Sequence, residues 1–233
     1  MRNLVVIPAR CGSKGLVDKN IKLLNGRPLL SYTIDAAIHS GIFNEIYVST
    51  DSEKYAQIAI QLGAKVPFMR SKENADDYAS SWDVVKEALK KYKEAGQQFD
   101  MVTLLQPTSP LRTAGNIIEA YDYYLKNKAN AVIAVCEAEH SPLWSNTLPE
   151  DNSMTQFINW DIVDQARQKL AKYYRLNGAI YMINVSYLSQ CKNIYESDSI
   201  AYIMSKENSI DIDDEYDFMF AEAIMKSRMN SNQ

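Results

Sequence analysis

Four short stretches of this chain carry residue types that do chemistry. The first is Ile7-Pro8-Ala9-Arg10-Cys11-Gly12-Ser13-Lys14-Gly15-Leu16-Val17-Asp18-Lys19-Asn20, where Arg10, Lys14, Lys19 and two glycines follow an apolar run. Glycine lets backbone N–H groups approach a ligand closely, and flanking cations then favour an anion. An exposed ion pair contributes only about 0 to 1 kcal/mol, so stability gives little reason to gather cations there, whereas a polyphosphate does. Neither the dinucleotide pattern G-x-G-x-x-G nor the P-loop pattern G-x-x-x-x-G-K-[ST] is present, which argues against a dehydrogenase and a P-loop nucleotidase.

The second stretch is Ser209-Ile210-Asp211-Ile212-Asp213-Asp214-Glu215-Tyr216-Asp217. In an extended segment Asp211 and Asp213 point to one side and can face a hard cation such as Mg²⁺, which takes one or two carboxylates plus phosphate oxygens. The competing reading is that acids at the first turn of a helix cap it and complement its dipole. Beside a polyphosphate loop, the metal reading is the better one. Third is Leu104-Leu105-Gln106-Pro107-Thr108-Ser109-Pro110-Leu111-Arg112, where two prolines stiffen a turn that presents Gln106, Thr108 and Ser109. Its simpler reading is a strand-to-helix turn with local caps. Fourth, Arg167 and Arg175 flank Tyr173-Tyr174, and two arginines near an active site suit an acidic substrate through bidentate contacts, although surface arginines are commoner.

These residues need a frame, and the chain has one. Its 233 residues suit one domain, or one domain with a small appendage, able to bury roughly 70% of the surface of the unfolded chain. The formal net charge of −4 lacks the basic surplus of a duplex nucleic-acid binder. Three widely spaced cysteines, Cys11, Cys136 and Cys191, fit reduced cytoplasmic thiols better than a disulfide framework. With only His39 and His140, a three-histidine metal site is excluded. No apolar run approaches a membrane span or a signal-peptide core, so the expectation is a soluble cytoplasmic protein without nucleic-acid or membrane partners.

Strand-like runs at Leu4–Ile7, Glu45–Ser49, Lys65–Met69, Met101–Leu105 and Ala131–Cys136 alternate with helical patterns. The helical stripes run through Leu30–Ile38, Tyr55–Leu62, Trp82–Tyr92 and Ile117–Tyr124, the first two ending at Gly41 and Gly63. The alternation predicts an α/β fold of three layers, with a mainly parallel, mixed sheet whose strand carboxyl ends bind ligand. It breaks between about Glu139 and Lys172 in an excursion, bounded at 139–175, inside a single domain over 1–233. Strands return at Ala179–Ile183 and Ala201–Met204, and a last helix is expected at Tyr216–Met225.

In order and spacing, "IPARCGSKGLVDKN", "LLQPTSPLR", "RLNGAIY" and "SIDID" resemble the motifs of acylneuraminate cytidylyltransferases over essentially the whole chain. The resemblance implies a Rossmann-like nucleotidyltransferase fold, a homodimer built through the excursion, and synthesis of a CMP-sugar from CTP and an acidic keto-sugar with release of pyrophosphate. It implies magnesium, or manganese in its place, on Asp211 and Asp213. Carried onto this chain, the family pattern puts Arg10, Gly12, Ser13, Lys19 and Asn20 on the nucleotide, and Arg70, Ser81 and the Ala79 backbone against the cytosine. Gln106, Thr108, Ser109, Arg167, Arg175 and Tyr181 then hold the sugar, while Arg10, Lys19 and Asp211 carry the catalysis. Arg167 acts in cis or across the dimer, and Asp211 takes the proton directly or through water; both alternatives stand open. The chain departs from the pattern at Cys11, at Ser71 where proline is frequent, and at Trp144 where relatives can carry lysine. The expected reaction is on an N-acylneuraminate, with legionaminic acid, pseudaminic acid or KDO as alternatives. A catalytically silent nucleotide-binding protein is the rival from another class. A glycosyltransferase also uses an Asp-x-Asp pair on a metal but has no need of the cationic first loop.

Overall fold

The apolar run near the N-terminus is an inner strand of a six-stranded sheet in the computed structural model, which describes residues 1–13, 15–76, 79–159, 169–196 and 198–231. In chain order the strands are β1 (Asn3–Pro8), the short β2 (Leu23–Leu24) and β3 (Arg27–Pro28), β4 (Glu45–Ser49), β5 (Met101–Leu104), β6 (Ala131–Glu137), β7 (Tyr174–Asn184) and β8 (Ser199–Ile203). The large sheet runs β4-β1-β5-β7-β6-β8; β2 and β3 make a separate antiparallel pair. Strands β4, β1 and β5 are mutually parallel, as are β6 and β8, whereas β7 lies antiparallel to both β5 and β6. The sheet is thus mixed and mainly parallel, as expected.

The helices are α1 (Leu29–Ser40), α2 (Glu53–Gln61), α3 (Ser81–Glu94), α4 (Ala114–Asn127), the one-turn α5 (Val185–Leu188) and α6 (Glu215–Ser231). Their ends follow local chemistry. Gly41 closes α1 at φ 66°, the Ser52 hydroxyl accepts from the Tyr55 N–H at the start of α2, and Ser80/Asp83 and Thr113/Asn116 form capping boxes on α3 and α4. Strand pleating sorts the core into layers: Val5 and Ile7 pack with Leu30, Ile34, Tyr55 and Ile117, while Leu4 and Val6 pack with Val84, Val85 and Tyr92. Helices α1, α2 and α4 therefore cover one face and α3 the other.

One expected strand does not form. Between Lys65 and Met69 there is only an isolated bridge, Tyr47 to Lys65, and Pro67, with no N–H, cannot extend the ladder. No described helix is long and apolar enough to cross a membrane.

A third apolar cluster matters most for the site. Leu16 from the cationic loop, Leu24 and Leu29 from the hairpin region, Leu111, and Ile210, Ile212 and Phe218 from the chain's last segment pack together. The alternation in Ser-Ile-Asp-Ile-Asp thereby turns two isoleucines into anchors, which brings the acidic stretch against the first loop.

Candidate active site

At the carboxyl ends of β1 and β5, a cleft of about 480 Å³ is lined by Arg10, Ser13, Gly15, Lys19, Asn20, Arg70, Ala79, Ser81, Gln106, Thr108 and Asp213. These come from four separated stretches, at the edge where α/β sheets bind ligands. A roomier groove, about 940 Å³, lies at the other end of β5 between α3 and α5, lined by Lys86, Phe99 and Leu188 among others. It contains none of the candidate residues, and volume alone does not outweigh the polar chemistry that converges in the smaller cleft.

The first loop is braced from within. Gly12 sits at φ 76°, in the left-handed region open to glycine. Buried Asn20 donates its amide to the Arg10 carbonyl at 3.0 Å, and the Arg10 guanidinium reaches the Ala75 carbonyl at 3.4 Å. Asp51, just beyond β4, accepts from the Cys11 N–H at 2.9 Å and from the Cys11 thiol at 3.0 Å. That bond, followed by burial, pushes the Cys11 thiol up; in return, although burial opposes it, the Cys11 bonds hold the Asp51 carboxyl below the usual range. Lys14 lies outside the described residues.

The aspartate pair adjoins this loop. The Lys19 ammonium donates to the Ile212 carbonyl at 2.7 Å and lies 3.5 Å from a carboxylate oxygen of Asp213. Gly15 is required at this contact, because a Cβ there would stand 2.6 Å from the Asp213 carbonyl oxygen. Lys19 is largely enclosed, its side chain 14% exposed, while that of Asp213 is 83% exposed and faces the cleft. Asp211 differs: its Oδ1 is buried without a hydrogen-bond partner. Burial raises its carboxyl pKa and Asp213 adds to this, against a Thr108 hydrogen bond and the charges of Lys19 and Arg175. A buried carboxylate oxygen with no donor is suited to a cation. Among the described residues no group of three or more His, Cys, Asp or Glu side chains forms a cage. Of the pair, Asp213 lines the cleft and Asp211 lies behind it with its Oδ1 buried; one or two carboxylates beside a cleft of this size fit magnesium, which keeps waters and takes phosphate oxygens, better than a metal that needs four protein ligands.

Gly178 joins this centre to the Gln106 turn. It has φ 71°, and a Cβ on it would lie 2.3 Å from Gln106 Oε1 and 3.3 Å from Asp211 Oδ2. The Gln106 amide and the Asp211 carboxylate thus share the space a side chain would fill. This follows from a break in the β6–β7 ladder, where the register shifts between Ile133 and Val135 opposite the Asn177–Ile180 stretch. The Ile212 N–H donates to the Thr108 carbonyl at 2.8 Å, tying the two motifs again.

Opposite, buried Arg70 donates to the Ser49 hydroxyl at 3.1 Å and the Ser49 carbonyl at 2.6 Å, and burial lowers its pKa against the Asp51 charge. The residues on either side of it are pinned to α3. Lys91 donates to the Met69 carbonyl at 2.7 Å, and Glu87 accepts from the Ser71 N–H at 2.9 Å and the Asn74 amide at 2.6 Å.

Not every sequence-predicted residue lines the cleft. Ser109 is fully buried and donates its hydroxyl to the Asn177 carbonyl at 3.3 Å. Arg175 donates to the Ser209 carbonyl at 3.2 Å, beside the aspartate stretch. Tyr181 packs edge-on against Trp82, ring centroids 5.7 Å apart, and burial pushes its hydroxyl up to about 12. Arg167 lies outside the described residues. Sequence reasoning missed Asp51, Asn74 and Glu87, whose signal was slight: Asp51 stands two residues past the end of a parallel strand, where ligand edges lie.

Residues 4–226 match the model of a family described as Cytidylyltransferase. An N-acylneuraminate cytidylyltransferase of Streptococcus agalactiae serotype V is 40% identical over 221 residues, covering 94% of this chain and 52% of that protein. The chain therefore spans about half the length of such curated relatives. A CMP-N,N'-diacetyllegionaminic acid synthase of Legionella pneumophila is 35% identical over 233 residues, covering 97% of each chain. Among solved structures, a CMP:2-keto-3-deoxy-manno-octonic acid synthetase complexed with CTP superposes with a TM-score of 0.73 at 17% identity, covering 98% of this chain and all of that one, which establishes likeness of fold.

Proposed function

The chain belongs to the cytidylyltransferase family, and on that premise we propose that it transfers the cytidylyl group of CTP to an N-acylneuraminate, releasing pyrophosphate. The observation that carries this reading is the meeting of Lys19 with Asp213 in the lining of a cleft that also holds Arg10 and Arg70.

In this reaction the anomeric hydroxyl of the acid sugar attacks the α-phosphorus of CTP in line, the bond to the β-phosphate oxygen breaks, and the hydroxyl proton is lost. Arg10 and Lys19 stand where the triphosphate lies, so charge building on the leaving pyrophosphate meets fixed cations rather than reorganising water. Arg70, Ala79 and Ser81 form the opposite wall and hold the base. Gln106, with Thr108, orients the sugar, and Arg175 beside the aspartate stretch takes its carboxylate, so that attack begins from a near-aligned pair. Magnesium on Asp211 and Asp213 would supply further neutralisation of phosphate charge. Asp211 takes the hydroxyl proton directly or through water.

A second reading, the same transfer to a legionaminic-type acid, is supported by the Legionella relative. The reading also includes a homodimer through the 139–175 excursion, for which the exposed Leu148, Met154, Tyr173 and Tyr174 offer apolar surface. A cytoplasmic setting is in keeping with the free thiols of Cys11, Cys136 and Cys191. Pyrophosphate release assayed with CTP, Mg²⁺ and each acid sugar in turn, then with ATP, GTP and UTP, tests the proposal. Release with CTP and N-acetylneuraminate supports it, release only with another acid moves it to the second reading, and nucleotide binding without release from any sugar overturns it.

A further inference from the structure

Arg112 is buried without an acidic partner among the described residues. It is 2% exposed, and its guanidinium donates to the Gln106 carbonyl at 3.1 Å, the Ala179 carbonyl at 2.9 Å and the Thr33 hydroxyl at 2.6 Å. Its Nε has no partner, and burial lowers its pKa to about 9. Enclosing a charge among neutral acceptors is strongly unfavourable, and a fold-filling role would be met more cheaply by an apolar side chain. The place of the two carbonyls supplies a reason. Ala179 lies in the stretch where the β6–β7 ladder breaks, so its carbonyl needs a donor from elsewhere, and Gln106 follows the end of β5.

We infer that Arg112 is a positioning residue that locks Gln106 to the Gly178–Ala179 bend, so that the Gln106 amide is held over Gly178 beside Asp211. The planar guanidinium reaches both carbonyls from one nitrogen and Thr33 from another, a fork that lysine does not reproduce. Loss of the fork leaves the turn and the bend joined only through their neighbours, and the Gln106 amide no longer has one place. Arg112 has no contact with substrate in this scheme; it acts through Gln106.

The inference rests on the proposed transferase reading for its kinetic test, and a second measurement frees it from that dependence. Arg112→Lys, Gln106→Ala and the double variant are compared by pyrophosphate release, with thermal unfolding as a control for folding. Arg112→Lys is expected to lower kcat/KM for the acid sugar about tenfold with KM for CTP within about twofold of wild type, and the double variant to be no worse than Gln106→Ala alone. Losses that multiply in the double variant, or equal rises in KM for both substrates, overturn the inference. Should Arg112→Lys fail to fold, Thr33→Val removes one arm of the same fork together with the 3.5 Å bond from the Thr33 hydroxyl to the Gln106 carbonyl, and the same non-additivity with Gln106→Ala is expected. Independently of turnover, the ¹⁵N side-chain amide signals of Gln106, assigned by their absence in Gln106→Ala, should be dispersed in wild type and move to free-glutamine positions in Arg112→Lys or Thr33→Val. Unmoved signals contradict the positioning role even if the wild type proves inactive, which by itself would overturn only the transferase reading.

Discussion

Lys19 and Asp213 lie near opposite ends of the chain, yet the ammonium of one stands 3.5 Å from the carboxylate of the other at the mouth of the cleft. An ion pair with so exposed a carboxylate adds little to stability. Lys19→Met, which keeps the enclosed stem and removes the charge, should lower kcat/KM for CTP about a hundredfold or more, the scale of losing one transition-state stabiliser. Thermal unfolding should reveal a loss of about 1.5–3 kcal/mol for the charge-assisted bond to the Ile212 carbonyl, with the variant still folded at assay temperature. Equal turnover in the variant and the wild type contradicts the assignment.

Asp211 should show the opposite balance of stability and activity. Its Oδ1 is buried and unpartnered, so without metal the carboxylate is a burden on the fold. In chelator, Asp211→Asn should unfold at the same temperature as wild type or higher, while turnover falls about a hundredfold or more. The added stability that Mg²⁺ and CTP together confer on wild type should disappear in the variant. A variant that melts lower in chelator, or that keeps full turnover at limiting Mg²⁺, contradicts this account.

Gly178→Ala tests the crowding at the centre. The new Cβ would lie 2.3 Å from Gln106 Oε1 and the backbone is at φ 71°, so both the amide and the bend must shift. Left-handed backbone costs an L-residue about 1–2 kcal/mol, and the displaced amide adds to that. Denaturant titration should show at least this loss, accompanied by a raised KM for the acid sugar and a smaller change for CTP.

Glu87 links stability to pH. Burial pushes its carboxyl up, but hydrogen bonds from Lys91, Asn74 and Ser71 outweigh it and hold the group below the usual carboxylate range. A carboxyl depressed on folding stabilises the protein above its unfolded pKa, and the contribution fades as pH falls through the folded value. Glu87→Gln should therefore be less stable than wild type at pH 7, and the gap should close on acidification below about 4.5. A gap unchanged between pH 7 and pH 3 contradicts the linkage. The Ser71 N–H in this bond is one that proline, frequent here in the resembled family, does not have.

Much of this was legible from residue patterns, and what was not has physical causes. β4 and the α1 stop at Gly41 follow from local apolar periodicity and one glycine, which require no partner to be recognised. The two-residue strands β2 and β3 are too short to show a period, and the Lys65–Met69 run kept an apolar look that Pro67 prevents from pairing. The reversal of β7 between β5 and β6 depends on register across the sheet, which no local stretch encodes. At the site, the cationic loop and the aspartate pair stood out because their chemistry is costly elsewhere. Asp51, Glu87 and Arg112 did not, since each acts through carbonyls or N–H groups that only tertiary structure brings near.

The central claim is that the cationic loop and the aspartate pair bind one nucleoside triphosphate together with magnesium, and calorimetric titration of CTP tests it most directly. For wild type, Mg²⁺ should tighten CTP binding at least about tenfold, a coupling of about 1.4 kcal/mol, and both Lys19→Met and Asp211→Asn should abolish that gain. Equal Kd values for CTP with and without Mg²⁺, or a Mg²⁺ effect that survives in Asp211→Asn, would contradict the account.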